Sequence, residues 1–189
     1  MNEDPFLALA PVVDACNRLG IAYYVGGSLA SSLHGVPRAT NDVDVIAALE
    51  PRHADELLRI LSATYYIDSR MIVESLRKNI PSNLIHLDTM VKIDLYGEQS
   101  MPFTTEALVR ASGQNLPGCP VPVRFASPED VILAKLKWYR DGGERSERQW
   151  GDLLGILRVQ GDGLDAQYIE RWLDRLAVRE LYARLRLAM

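Results

Sequence analysis

Cysteine and histidine are scarce in this chain: two cysteines and three histidines among 189 residues. Cys16 and Cys119 lie far apart in unrelated contexts, which excludes a disulfide scaffold and offers no zinc-ligand spacing. Two unpaired thiols fit a reducing cytoplasm. His34, His53 and His86 neither cluster nor carry metal-ligand spacing, so helix-end and surface roles are their default. No Ser-His-Asp or Cys-His set can be assembled. An excess of basic charge is also missing. Lys and Arg number 21 against 25 Asp and Glu, a formal net charge of −4. That argues against a protein that coats nucleic acid non-specifically, though it leaves a local basic groove open. No run approaches the ~18 apolar residues of a membrane helix. The opening Met1-Asn2-Glu3-Asp4-Pro5 is acidic and lacks the layout of a signal peptide, so a cytoplasmic location is expected. No repeat or low-complexity segment is visible.

What is present is an ordinary globular composition, 48% hydrophobic and 24% charged. The length suits one compact domain, or one domain with a helical appendage. Helical spacing from Pro5 to Leu19 stops at Gly20. Ile21 to Val25 reads as a strand, and Gly26-Gly27-Ser28 turns the chain into a helix over 29–34. Val43 to Leu49 reads as a second strand, followed by a helix to about Ala63. The segment 64–81 is expected to hold short elements and an exposed loop. Asn83 to Leu87 and Val91 to Tyr96 read as strands joined by a tight turn at 88–90. A helix over 104–111, a Pro- and Gly-rich loop over 115–122 and a short strand over 123–126 follow. Ser127-Pro128-Glu129-Asp130 is a strong helix start, with Ser127 as cap and Asp130 closing a capping box. Helices are then expected at about 128–140, 145–159, 164–176 and 178–187. The order predicts an α/β (α+β) fold: a small mixed sheet with helices over 1–126, then a helical part over 127–189 packed on it.

Asn41-Asp42-Val43-Asp44-Val45 places two carboxylates two residues apart in a strand, so they share a face while the valines enter the core. Two ionised carboxylates so close repel unless a cation sits between them. Hard divalent ions such as Mg²⁺ take oxygen ligands of this kind. In Val91-Lys92-Ile93-Asp94-Leu95-Tyr96, alternation puts Lys92, Asp94 and Tyr96 on one face. If this strand lies beside the second, Asp94 completes a three-carboxylate site able to hold two metal ions. The Val25-Gly26-Gly27-Ser28 junction lets backbone N–H groups at a helix start approach a phosphate, and Ser28 can cap the helix or donate to a phosphate oxygen. Each part alone also has a plain reading: an ordinary turn, a solvated strand end, an edge-strand charge. Their order is what is specific.

The run Tyr24-Val25-Gly26-Gly27-Ser28, then Arg38-Ala39-Thr40-Asn41-Asp42-Val43-Asp44-Val45, then Ile93-Asp94-Leu95, resembles the DNA polymerase β nucleotidyltransferase superfamily. More narrowly it is similar to the small bacterial branch that includes AbiEii-type toxin nucleotidyltransferases. The resemblance implies that Gly26, Gly27 and Ser28 hold a nucleoside triphosphate. It implies that Asp42, Asp44 and Asp94 bind two divalent ions, Mg²⁺ or Mn²⁺, with the third carboxylate helping to activate a hydroxyl. Arg38 would lie beside the site. The segment from Ser127 through Lys135, and Arg148-Gln149-Trp150-Gly151-Asp152, is similar to the helical part of the same group, where a lysine and a later aspartate recur near the active site.

Lys135 also stands out physically, because its helical neighbours Val131, Ile132, Trp138 and Tyr139 are largely apolar. Either its ammonium reaches a partner such as a triphosphate, or it snorkels with its stem on the core. For Asp152 a salt bridge to Lys or Arg is the first reading. The arginine-rich segments 135–148 and 171–186 read first as salt-bridged helix faces, and second as an RNA groove. The expected function is therefore metal-dependent transfer of a nucleoside monophosphate from an NTP to a hydroxyl on a tRNA, a protein or a small molecule, with an antitoxin partner if the setting is toxin–antitoxin. The alternative is a non-catalytic nucleotide-binding or interaction module that keeps the fold.

Overall fold

The computed structural model describes residues 4–97 and 101–189; Met1 to Glu3 of the acidic opening lie outside them. By their internal packing the described residues divide into two compact units. One comprises the chain to Gly26 and Thr40–Phe125, the other Gly27–Ala39 and Ala126–Met189.

The first unit is built on a mixed sheet of seven strands among the described residues, in the order β3-β4-β5-β2-β1-β7-β6. These are β1 (Tyr23–Val25), β2 (Asp42–Ala47), β3 (Tyr65–Tyr66), β4 (Ser82–His86), β5 (Lys92–Gly97), β6 (Ser112–Gln114) and β7 (Val123–Phe125). β2 runs parallel to β5 and β1 parallel to β7; the other pairs are antiparallel. Alternation decides which side of the central pair is dry. Val43 and Val45 of β2 pair in register with Ile93 and Leu95 of β5, and all four are buried. Helix α1 (Pro5–Arg18) packs against these strands and is itself buried along Leu9, Val12, Val13 and Cys16. Its start is set by Asp4, whose carboxylate accepts from the Phe6 N–H at 2.9 Å. Helix α3 (Ala54–Leu61) adds Leu57 and Leu61 to the same core.

The segment expected to be short elements and exposed loop contains a ten-residue helix, α4 (Ser69–Lys78). Asp68 caps it at one end, and Asn79, in the left-handed conformation at φ 53°, ends it. Only Ile72 and Ser75 are buried along it, so its apolar stripe is too thin to announce a helix. α5 (Pro102–Arg110) leads into β6, a strand of Ser-Gly-Gln that was not expected because no apolar alternation marks it.

The second unit is helical: α2 (Gly27–His34), α6 (Pro128–Asp141), α7 (Glu147–Gln160), α8 (Ala166–Leu173) and α9 (Arg179–Leu187). The first of these comes from the N-terminal third of the chain and packs with α6 and α7. Its end approaches α7 closely: a β-carbon on Gly35 would stand 2.7 Å from the backbone nitrogen of Ile156. α6 starts as expected, with Ser127 accepting from the Asp130 N–H at 3.2 Å and Pro128 in the first turn. Among the described residues no helix is long and apolar enough to cross a membrane.

Candidate active site

The carboxylates fall on the sheet face opposite the buried valines. Asp44 of β2 and Asp94 of β5 are register partners, and Asp42 is partnered by Lys92. In a parallel pair, residues in register point to the same side, so Asp42, Asp44 and Asp94 converge on one face. They do so for the reason that buries Val43 and Ile93: a two-residue period with apolar residues on alternate positions. On its other flank Asp94 is partnered by Asn83 of β4.

Asp94 is 9% exposed, and its Oδ1 is buried with no hydrogen-bond partner. A buried carboxylate oxygen without a donor is costly, and a cation is the natural ligand for it. Its Oδ2 accepts from Lys92 Nζ at 2.9 Å, and the same ammonium stands 3.4 Å from Asp42 Oδ1. The hydrogen bond to Asp94, reinforced by the charges of Asp94 and Asp42, holds the Lys92 ammonium above its usual range despite partial burial. Tyr96, two residues beyond Asp94, hydrogen-bonds Asp44; burial, then the charges of Asp44 and Asp94, push its hydroxyl well above the usual phenol range. Among the described residues, no three His, Cys, Asp or Glu side chains stand close enough together to hold a metal ion as they are placed. The hard oxygen donors and the unpartnered Asp94 Oδ1 nevertheless suit a divalent cation by type.

Gly26 continues the β1–β2 pairing, its N–H donating to Asp44 O at 2.9 Å. A side chain there would meet Ile46 at 3.0 Å.

In the second unit the chain turns into α2 at Gly27, whose φ of 53° is a conformation other residues adopt at a cost. Ser28 sits in the first turn of α2, and its Oγ accepts from Arg38 Nη2 at 2.5 Å. Arg38 is held at further points as well. Its N–H meets Ser32 Oγ at 3.2 Å, its Nε donates to Asp152 Oδ1 at 2.7 Å, and Nη2 donates to Asp152 Oδ2 at 3.0 Å. Lys135 of α6 donates to the same Asp152 Oδ2 at 2.9 Å. Burial opposes the charge on Asp152, but the hydrogen bonds from Arg38 and Lys135 outweigh it and hold the carboxyl below the usual range. Arg38 is correspondingly raised by its bond to Asp152. Two cations share one carboxylate, which leaves a positive surplus beside the first turn of a helix, an arrangement that favours an anion.

The residues picked from sequence thus fall into two groups. Asp42, Asp44 and Asp94 come together on the sheet face, with Gly26 bonded to the backbone at Asp44. Ser28, Arg38 and Lys135 come together through Asp152. Asp152 is the salt-bridge partner expected of it, and Lys135 is buried with its ammonium on that partner rather than snorkelling to water. Lys92 and Tyr96 were placed on the face of Asp94 but given no role there, and Asn83 was missed as a member of it. The alternation in β5 carried the signal for the first two; nothing local marks Asn83, which arrives through strand register. The histidines are occupied elsewhere: His34 bonds Ala126 O, His53 accepts from the Glu50 N–H, and His86 meets Thr89.

No protein-family model and no curated protein sequence matches the chain. Solved structures do. ANT(2″)-Ia in complex with adenylyl-2″-tobramycin superposes with a TM-score of 0.59 at 15% identity, over 94% of this chain and 99% of that one. An antigenic nucleotidyltransferase-like protein from Paracoccidioides brasiliensis gives 0.55 at 19% identity, over 95% and 91%. A lincosamide antibiotic adenylyltransferase bound to lincomycin gives 0.50 at 11% identity, over 78% and 93%. With a seven-stranded mixed sheet and helices among its described residues, the chain has the fold of these solved nucleotidyltransferases.

Proposed function

We propose that the protein transfers a nucleoside monophosphate from an NTP to the hydroxyl of a small molecule. The observation that carries this reading is the in-register pair Asp44 and Asp94, with the Asp94 Oδ1 buried and unpartnered. In the reaction an acceptor hydroxyl oxygen attacks the α-phosphorus, a P–O bond forms, and the bond to the β-phosphate breaks to release pyrophosphate. Asp42, Asp44 and Asp94 would hold Mg²⁺ or Mn²⁺, which neutralises triphosphate charge and lowers the pKa of the hydroxyl. Asp94 takes the hydroxyl proton. Tyr96 fixes the orientation of Asp44. Within the helical unit, Arg38 and Lys135, steadied by Asp152, are suited with Ser28 and the backbone of Gly27 to bind phosphates.

The acceptor class is favoured by the neighbours, two of which are solved with an adenylylated tobramycin or with lincomycin. A tRNA or protein acceptor and an antitoxin partner rest on the AbiEii resemblance alone. The non-catalytic module draws support from one observation: Lys92 already bridges Asp42 and Asp94.

Calorimetry of NTP binding with and without Mg²⁺, on the intact protein and on the Asp42→Asn, Asp44→Asn double variant, tests the reading. Binding that needs the metal and is lost in the variant supports it, and labelled ATP and CTP with aminoglycoside and lincosamide acceptors then follow. An intact, folded protein that binds no NTP would turn the reading to the module.

A further inference from the structure

The ammonium of Lys92 occupies a peculiar position. It is the register partner of Asp42 and lies two residues from Asp94 on the same face, so it touches two of the three carboxylates at 3.4 and 2.9 Å. A surface lysine pairs with whatever carboxylate is near, but this one bridges two of the three carboxylates proposed to hold a divalent ion. Its side chain is 38% exposed, so it can swing out to solvent without unpacking the core. It also leaves the job half done, since Asp94 Oδ1 keeps no partner.

We propose that Lys92 is a built-in counter-cation, holding the carboxylate face together when no metal is present and competing with the metal for it. The inference rests on the metal-binding role proposed above for Asp42, Asp44 and Asp94. Without Lys92, three carboxylates on adjacent strands repel one another across the metal-free sheet. With it, an incoming divalent ion must displace the ammonium, so the resident affinity for metal alone is lowered. The metal then enters most favourably together with a nucleoside triphosphate, whose negative charge gives the displaced ammonium a new partner. Binding to the two states of Lys92 is linked, so whatever stabilises the bridge weakens the metal by the same factor.

The test is Mn²⁺ binding to the full chain without nucleotide, followed by electron paramagnetic resonance, together with melting in chelator. Lys92→Met should bind Mn²⁺ about three- to fivefold more tightly than the intact protein, the scale of a part-exposed ion pair. It should also melt lower in chelator and gain more from Mn²⁺. Lys92→Arg, which keeps the charge, should stay near the intact protein. Should Lys92→Met not fold, Lys92→Gln makes the same comparison. Mn²⁺ binding that is unchanged or weaker in the neutral variants overturns the role of Lys92 and leaves the metal site standing. No Mn²⁺ binding by either folded protein, or binding that survives the Asp42→Asn, Asp44→Asn double change, overturns the metal site and the role of Lys92 with it.

Discussion

Asp152 grips Arg38 with both oxygens, at 2.7 Å to Nε and 3.0 Å to Nη2, and passes the second oxygen on to Lys135. The fork geometry orients the guanidinium as a lysine could not. Asp152 is buried, so its loss would leave two cations without their shared counter-charge. Asp152→Asn should cost about 3 kcal/mol of stability, the low end for breaking a buried pair because Arg38 is partly in contact with water. Urea denaturation measures this directly, and a loss under about 1 kcal/mol would show that solvent screens the pair.

The same pair gives a pH dependence. The folded Asp152 carboxyl lies below its ordinary range, so the unfolded chain binds its proton more readily. Its stabilisation is therefore full above the unfolded pKa of about 3.9 and fades as pH falls through the lower folded value. The difference in melting temperature between the intact protein and Asp152→Asn should be flat above about pH 5 and shrink below about pH 4. A difference that persists to strong acid would mean the aspartate acts through packing rather than charge.

How much of this was legible beforehand follows from the range of each signal. The face shared by Asp42 and Asp44 is local, because strand alternation needs only adjacent residues. That Asp94 stands beside Asp44 depends on sheet order, which the sequence carried only as an expected pattern. Asn83 reaches the same row through register alone. α4 was passed over because it buries little, although its Asp68 cap and Asn79 stop stood in the sequence. β6 holds by backbone pairing to β7, with side chains that say nothing. The apolar neighbours of Lys135 marked it as unusual, but its partner Asp152 lies on another helix.

Gly35 sets how near the end of α2 comes to α7. A β-carbon there would fall 2.7 Å from Ile156 N and 2.8 Å from the carbonyl carbon of Gly155, both backbone atoms that cannot rotate away. Gly35→Ala should cost about 1–3 kcal/mol, as overpacking does. Because Arg38 follows three residues later and must reach Asp152 on α7, NTP affinity should fall as well if Arg38 has the phosphate-binding role proposed for it. Denaturation paired with nucleotide titration separates the two effects.

The thiols should differ in reactivity. Burial pushes the Cys16 thiol up to about 12, while Cys119 is only partly buried and raised less. Since the thiolate is the reacting species, a disulfide reagent at mildly alkaline pH should label Cys119 first and Cys16 only with unfolding. Mass spectrometry of timed samples reads the order. Early labelling of Cys16 would mean that α1 lifts from the sheet.

Asp94 and Tyr96 share a face of β5 but should fail differently when changed. Asp94→Asn removes the proposed proton acceptor and one proposed metal ligand while keeping the shape, so kcat should fall about 10²- to 10⁴-fold. Stability should change little, because the lost contact to Lys92 is offset by weaker repulsion from Asp44. Tyr96→Phe keeps the ring and loses the hydrogen bond to Asp44. A positioning role predicts a drop in kcat of about five- to thirtyfold, since one neutral donor to a carboxylate is worth about 1–2 kcal/mol, with KM for NTP nearly unchanged. Steady-state kinetics on both variants, with folding checked by circular dichroism, decides the matter. An Asp94→Asn enzyme that retains full kcat would remove Asp94 from the chemistry and leave Asp42 and Asp44 to act without it.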